Sequence, residues 1–542
     1  MFSDSESESE YGVSKPHPNP ELTHRDYLDT PSNCTAQNLI EAEIAAHEAA
    51  ILELKVRRNA YSPISKLPAE ILAKLFILLR RSFSDFGDFP GCLNVATVCH
   101  SWREVFVSTT QLWDDLDLSK IKSQDCAELM LARSKQGALH IQWTRPLLDP
   151  SVLSAVSSQI LRIQDLDICG QSLAILDFFP SENKVLPAMQ RLALRRQGRA
   201  TDAPPMSMER VLSMDMPRLH TLELQNIYLP SIRVFQPSPR LQTLHITTPK
   251  PLLSLPDILT VLRATPTLHD LTLTHALFLT PLSPSAREDP KYALVDLAQL
   301  TCLSVSCNHF RDIARLLQHV RYPCSARVLL RYVTFPHEAG LTEPGCLEVL
   351  TAVLSRWAQS TSAGLADRMW LLNKFAWDFK IGVALGEVPL LDIHCEEGES
   401  RDQLRHLFHL HTLLPSRCVR ILHISGFGAI EHPEEWKELF VRNHQVQRLV
   451  LETQEHPRII QTLTDQSDTS ILPQLKSLML RRCCFDGHRS DRRFTPRVSE
   501  LLEQRIDQTP LKILKIRDCV IESATVRSLR NIIHVDWDQF LP

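Results

Sequence analysis

The sequence predicts an α/β chain: a small helical module near the N terminus, then an irregular right-handed solenoid with a parallel sheet on its concave side. Three observations predict it. The chain has 542 residues, too many for one compact core, so several units or an elongated repeat are needed. An apolar-x-x-apolar-x-apolar pattern recurs from Ile163 onward, its middle positions 22 to 36 residues apart within each of two groups. Residues 63–118 lack that repeat and instead carry a helix-period apolar pattern and two tryptophans, Trp102 and Trp113.

Composition sets the class. Hydrophobic residues make up 44% of the chain and charged residues 23%, as in soluble globular proteins. The net charge of −4 gives no general attraction to nucleic acid or membrane, so neither is expected as a partner. No apolar run is long enough to span a bilayer, and MFSDSESESE is not a signal peptide. The 14 cysteines include no C-x-x-C pair and lie mostly in apolar runs. They are expected as reduced, buried thiols in the cytoplasm or nucleus rather than as disulfides or zinc ligands.

Signals for chemistry are poor. Only 15 glycines are present, and no G-x-S-x-G, P-loop or dinucleotide fingerprint occurs. His406, His409 and His411 are closely spaced, but no cysteine or carboxylate completes a zinc set around them. His394-Cys395-Glu396 is expected in a turn or on the surface. No enzyme activity, cofactor or metal is expected.

The elements follow in order. Residues 1–35 alternate Ser with Asp or Glu and then carry Pro16, Pro18 and Pro20. Such a segment cannot bury enough apolar area to offset its ordering entropy, so a disordered tail is expected. Its serines are either simply solvated or targets of an acid-directed kinase. Residues 36–60 read as a helix rich in Ala, Glu and Leu, with Ile40, Ile44, Ile51 and Leu54 on one stripe. About two heptads are few for a stable coiled coil, so packing on the next domain is the expected use of the stripe, with dimerisation the alternative.

The central stretch comes next. Pro63 ends the helix before it, and Leu67 and Pro68 open another, with Glu70 suited to the positive end of the helix dipole. Ile71, Leu72, Leu75, Phe76, Leu78 and Leu79 form an apolar face broader than one side of a helix normally hides, which points to a partner. A polar and aromatic linker is expected from Arg80 to Gly91, then a second helix from about Leu93 with Val95, Val98, Cys99, Trp102 and Val105.

These residues resemble the F-box family, in the F-box-like form abundant in basidiomycete fungi. The similarity runs through Leu67-Pro68-x-Glu70-Ile71-Leu72-x-x-x-Phe76, Val98-Cys99-x-x-Trp102-Arg103 and Ser108-Thr109-x-x-Leu112-Trp113, about a tenth of the chain. The resemblance implies a three-helix module at 61–118 that docks on a Skp-type adaptor, and on a cullin through it, in an SCF ubiquitin ligase. It makes Leu67, Pro68, Ile71, Leu72, Leu75, Phe76, Val98 and Trp102 the adaptor-binding residues. Leu67 and Pro68 are expected as an exposed knob, with Ile71, Leu75 and Phe76 as a ridge; Cys99, Trp102 and Trp113 can equally close the module's own core. Two departures stand out: the segment from Phe76 to Val98 is long, and Thr110 occupies a position where proline is usual.

From 119 to 542 the repeat takes over. A short helix, CAELMLARSK, leads to Leu139-His140-Ile141, and the triads begin at Ile163/Leu166/Ile168. They carry the leucine-rich-repeat signature with irregular lengths. Asn308, Cys483 and Cys519 stand three residues past the last apolar position, where this family's side chains satisfy turn backbone groups. Prolines such as Pro217, Pro239, Pro266 and Pro473 precede strands and stop the helix before them. Between 306 and 387 two repeats with a longer insertion are expected: a strand at Ser325/Val328/Leu330, a helix from Cys346 to Gln359 and an apolar segment from Trp370 to Trp377.

The triads face inward, so the residues between and after them face the concave side. Among the last copies these include Ser477, Met479, Arg481, Arg482, Lys515 and Arg517, a basic strip; in the middle copies they include Glu223, His245, Thr272 and Ser304. The strip reads either as a solvated sheet face or as a contact surface for an acidic protein substrate, with Met479, Arg481, Arg482, Lys515 and Arg517 as its binding residues.

Overall fold

The structure, a computed structural model, describes residues 31–85, 93–121, 123–144, 150–170, 178–179, 185–196, 209–227, 238–248, 253–278, 292–334, 351–355, 366–373, 379–397, 411, 414, 418–426, 433–452, 457–464, 471–483, 485, 494–508 and 511–539. Its contacts divide the chain into two compact units, Met1–Thr109 and Thr110–Pro542. Residues 1–30, most of the expected acidic tail, lie outside the described residues.

The first unit is helical. Helix α1 spans Pro31–Ala60, so the last residues of the expected tail are helical. Its stripe is uncovered: Ile40, Ile44, Ile51 and Leu54 are all exposed. The expected packing of this stripe on a following domain is therefore corrected. A short 3-10 helix, Pro63–Lys66, precedes α2 at Ala69–Asp85. In the first turn of α2 the Pro68 carbonyl accepts the N–H groups of Ile71 at 3.0 Å and Leu72 at 3.1 Å. Helix α2 continues past Arg80, where a linker was expected, because no glycine or proline interrupts it before Asp85. A 3-10 turn at Asn94–Thr97 and α3 at His100–Ser108 follow.

The second unit holds a 17-stranded, mostly parallel sheet. Its strands are β1 (Asp115–Asp117), β2 (Leu139–Trp143), β3 (Ile163–Gly170), β4 (Arg191–Arg196), β5 (Thr221–Gln225), β6 (Thr243–Thr247), β7 (Asp270–Thr274), β8 (Cys302–His309) and β9 (Arg327–Thr334). They continue as β10 (Arg368–Asn373), β11 (Phe379–Leu385), β12 (Val388–Glu397), β13 (Ile421–Ser425), β14 (Arg448–Glu452), β15 (Ser477–Arg481), β16 (Ile513–Arg517) and β17 (His534–Trp537).

Each strand from β1 to β8 pairs in parallel with the next. Register aligns the triads into two buried rows. One runs Leu166, Leu192, Leu222, Leu244, Leu271, Leu303 and Val328; the other runs Ile168, Leu194, Leu224, Ile246, Leu273, Val305 and Leu330. A one-residue slip would turn every one of these side chains to the opposite face, so burial itself fixes the pairing. The alternate residues form an open, partly exposed face.

Several strands end alike. Asn226, His275, Gly426, Arg482 and Asp518 directly follow β5, β7, β13, β15 and β16, and each has a left-handed φ between 52° and 81°. Asn, Asp and Gly reach this region at low cost; His275 and Arg482 are held there by the turn. Cys483 and Cys519 serve the turns as anticipated: the Cys519 Sγ accepts the Cys483 N–H at 3.3 Å and donates to the Leu480 carbonyl at 3.4 Å. Asn308 differs, being exposed and bonded to His275 at 3.1 Å.

Between β9 and β13 the expected parallel succession fails. Strand β9 pairs in parallel not with β10 but with β12, and β10 pairs in parallel with β13. Strand β11 lies between them, antiparallel to both. The spatial order is thus β9, β12, β11, β10, β13. His394 lies inside β12 rather than in a turn. Residues 351–355 of the helix expected at 346–359 are helical; the rest lie outside the described residues. From β13 to β17 the parallel succession resumes.

Candidate adaptor face and substrate surface

Helix α2 is apolar on two sides, and the structure assigns each a different role. Leu72 and Phe76, one turn apart, are only 3% exposed. The Phe76 ring lies 5.3 Å from the Trp102 ring and 6.1 Å from Phe106, both on α3, centroid to centroid. These three aromatics form the core of the helical unit. The other stripe holds Ile71, Leu75 and Leu78, continued by Leu67 just before the helix, all exposed, with Leu75 at 44% and Leu78 at 61%.

The predicted adaptor residues therefore separate. Leu67, Pro68, Ile71, Leu75 and Val98 are exposed. Leu72 and Phe76 are buried, which corrects their assignment to the partner face, because α3 covers their side of the helix. Trp102 is half-buried against Phe76. Leu78 and Leu79 join the exposed side, and continuing the step from Leu67 through Ile71 and Leu75 finds them. Trp113 belongs to the second unit: it is 2% exposed, with the Arg133 guanidinium 4.5 Å from its ring centroid.

The basic strip is real as sequence and neutralised as structure. Arg481 meets Asp518 at 3.0 Å, and Arg482 meets Glu452 at 2.8 Å. Arg517 and Lys515 share Asp536, at 2.6 and 3.7 Å. The Arg517 guanidinium holds the Asp536 carboxyl below its ordinary value. In-register strands put acids from neighbouring strands and turns beside each cation, which favours the solvated-face reading of the strip over a contact surface for an acidic partner.

The other end of the sheet does likewise. Arg191 reaches Asp165 at 3.2 Å and Glu223 at 2.9 Å, while Arg195 reaches Asp167 at 3.2 Å and Glu223 at 3.3 Å. Burial pushes the Glu223 carboxyl up, but the two guanidiniums outweigh it and its pKa falls. For Asp167 burial wins and the pKa rises. The Asp165 carboxylate, 3.9 Å from the His140 ring, raises His140 above its ordinary value. Burial lowers His423 on β13, against the pull of Glu452 at 3.2 Å.

Sequence reasoning missed a cavity of about 520 Å³ on the open face of the sheet. Apolar walls come from Trp370, Leu372, Ile421, Val450 and Met479, and charged ones from Arg368, Glu387, Lys380, Asp392, Arg448 and Arg481. Lys380 pairs with Asp392 at 2.9 Å and Arg368 with Glu387 at 2.6 Å; Arg448 makes no ion pair among the described residues. Gly382 permits the arrangement. A Cβ there would lie 2.4 Å from the Leu391 carbonyl oxygen and 2.6 Å from the Trp370 indole. Of the predicted substrate residues, Met479 and Arg481 line the cavity; Arg482, Lys515 and Arg517 do not.

Of the histidine cluster, His411 is buried, and His406 and His409 lie outside the described residues. Among the described residues no group of three His, Cys, Asp or Glu could hold a metal ion, and no helix is long and apolar enough to cross a membrane. Cys302, Cys307, Cys483 and Cys519 are buried free thiols, whereas Cys126, Cys324 and Cys418 are exposed, which corrects the expectation of uniform burial.

Comparison with known families places an F-box-like domain at residues 64–119. The match contains all of α2 and α3 and ends just beyond β1. F-box-like domains generally bind Skp-type adaptors. No curated protein matches the chain.

Proposed function

We propose that this chain is the substrate-recognition subunit of an SCF-type (cullin-RING) E3 ubiquitin ligase. The F-box-like domain holds a Skp-type adaptor, and a cullin through it, while the second unit holds a protein substrate. The observation that carries this reading is the second apolar side of α2. Leu67, Ile71, Leu75 and Leu78 are exposed within the very residues that match the F-box-like family. An apolar helix stripe of this kind suits a helix-in-groove contact. If the helices served only to cap the repeats, this stripe would have no use; its exposure favours adaptor docking.

The second unit is read as an irregular leucine-rich-repeat solenoid. Support comes from its paired apolar rows, the left-handed residue after several strands and the thiol contacts of Cys483 and Cys519. The cavity around Trp370 is the substrate-facing surface of this reading. The chain itself performs no chemistry; it raises the local concentration of a substrate lysine near a charged ubiquitin-conjugating enzyme, in the cytoplasm or nucleus.

The test is co-purification of the full chain with a recombinant Skp-type adaptor. Wild type is expected to bind, and Ile71→Asp with Leu75→Asp to lose binding while keeping its circular dichroism spectrum. Absence of binding by wild type, or binding that survives the double substitution, overturns the proposal.

A further inference from the structure

Helix α1 carries a seam that nothing in the helix itself can bury. Ile40, Ile44, His47, Ile51, Leu54 and Arg58 follow one another at alternating steps of four and three, the spacing of a two-stranded coiled coil. The four aliphatic members are all exposed, from Ile44 at 46% to Leu54 at 63%. Helices gain most of their stability from packing an apolar face, and this one runs for 30 residues.

We infer that α1 pairs with α1 of a second copy of this chain as an antiparallel coiled coil. Charge selects both the occupant and the direction. Glu41 and Glu43 flank the seam in the N-terminal half, and Lys55 and Arg57 flank it in the C-terminal half. With the two-fold axis level with Ala49, Ile44 meets Leu54 of the second copy, His47 meets Ile51, and Ile40 meets the aliphatic stem of Arg58. The same alignment brings Glu41 toward Lys55 and Glu43 toward Arg57 of the second copy, twice each by symmetry. One like-charged meeting results, Glu48 with its own counterpart.

A parallel pair fares worse. It stacks His47 on His47 and Arg58 on Arg58, and sets Glu43 against Glu48. Within one helix Arg57 bonds Glu53 at 2.6 Å, and His47 lies 3.9 Å from Glu43. Both are exposed pairs one turn apart, weak enough to be shared with a second copy. This inference is independent of the ligase reading.

Sedimentation equilibrium of the full chain tests it. Wild type is expected at twice the 61.8 kDa chain mass at micromolar concentration. Ile44→Asp with Ile51→Asp is expected as a monomer with an unchanged circular dichroism spectrum, since both side chains are exposed in the protomer. Glu43→Lys distinguishes direction: it weakens an antiparallel dimer, by roughly tenfold in Kd across two symmetric contacts, and tightens a parallel one. Adding Arg57→Glu to Glu43→Lys restores the antiparallel dimer. A monomeric wild type, a dimer that survives the double Asp substitution, or tightening by Glu43→Lys overturns the inference.

Discussion

Two regions of this molecule treat surplus side chains in opposite ways. Helix α2 has more apolar residues than its own unit buries. Leu72 and Phe76 go inward, and Leu67, Ile71, Leu75 and Leu78 stay outside. The open face of the sheet has many charges and satisfies most of them itself: Arg191, Arg195, Arg481, Arg482, Lys515 and Arg517 each sit beside a carboxylate. An exposed apolar stripe gains by being covered, whereas a neutralised polar face gains little from a further charge. The contrast teaches where to look for partners: on α2 among the exposed apolar residues, and on the sheet in the cavity at Trp370 rather than along the basic strip.

Mutations can break or sharpen this contrast. The largest effect is expected from Phe76→Ala, which empties the aromatic core of the helical unit and should cost about 3–5 kcal/mol by denaturant unfolding. Leu75→Ala, its sequence neighbour, should leave stability within about 0.5 kcal/mol yet weaken adaptor binding by roughly 2 kcal/mol. Equal stability losses from the two would erase the distinction between inward and outward stripes. In the second unit Arg505, on the helix Phe494–Gln508, is buried and donates to the Leu463 and Ile471 carbonyls. Arg505→Met leaves those acceptors unpaired and should cost about 2–3 kcal/mol in a urea titration.

Gly382→Ala comes next, with about 1–3 kcal/mol lost through overpacking against Trp370 and Leu391 and a changed near-ultraviolet dichroism from the displaced indole. The smallest effects concern pH. His140 has a raised pKa, so its contribution is present below the ordinary histidine value and is lost as pH rises through the folded value. His423 has a lowered pKa, so its contribution is present above the ordinary value and is lost as pH falls. The signs oppose. His140→Asn should therefore leave a chain that weakens on acidification between about pH 8 and 5.5, and His423→Asn one that weakens on alkalinisation, each by less than about 1 kcal/mol. Urea midpoints across that range check both.

Much of this was legible in the chain. The triads predicted the two buried rows because a strand's side chains alternate and a buried face tolerates no slip. The two stripes of α2 could not be separated, since Ile71, Leu72, Leu75 and Phe76 are all apolar and only the position of α3 decides which are covered. The basic strip showed its cations but hid their partners. Glu452, Asp518 and Asp536 lie far along the chain or in the next turn, and only strand register brings them alongside. The β10–β12 excursion was illegible for the same reason: antiparallel and parallel strands use the same residues, and Gly382 gave no local sign that an indole lies over it.

That excursion bears on how the protein is made. A sheet whose strands pair in parallel in chain order can grow one strand at a time as it leaves the ribosome, each new strand finding its neighbour already in place. Here growth halts at β9, whose far edge stays open until residues 388–397 have been synthesised and folded back. Strand β10 must wait for β11 to join it to that edge, and β13 for β10. The three strands pair with one another through local antiparallel contacts, but they join the sheet through the β9–β12 pairing, in which Arg331 and His394 are 63 residues apart, a long-range contact of the slow kind. Until that pairing forms, the open edge of β9 is a template for aggregation.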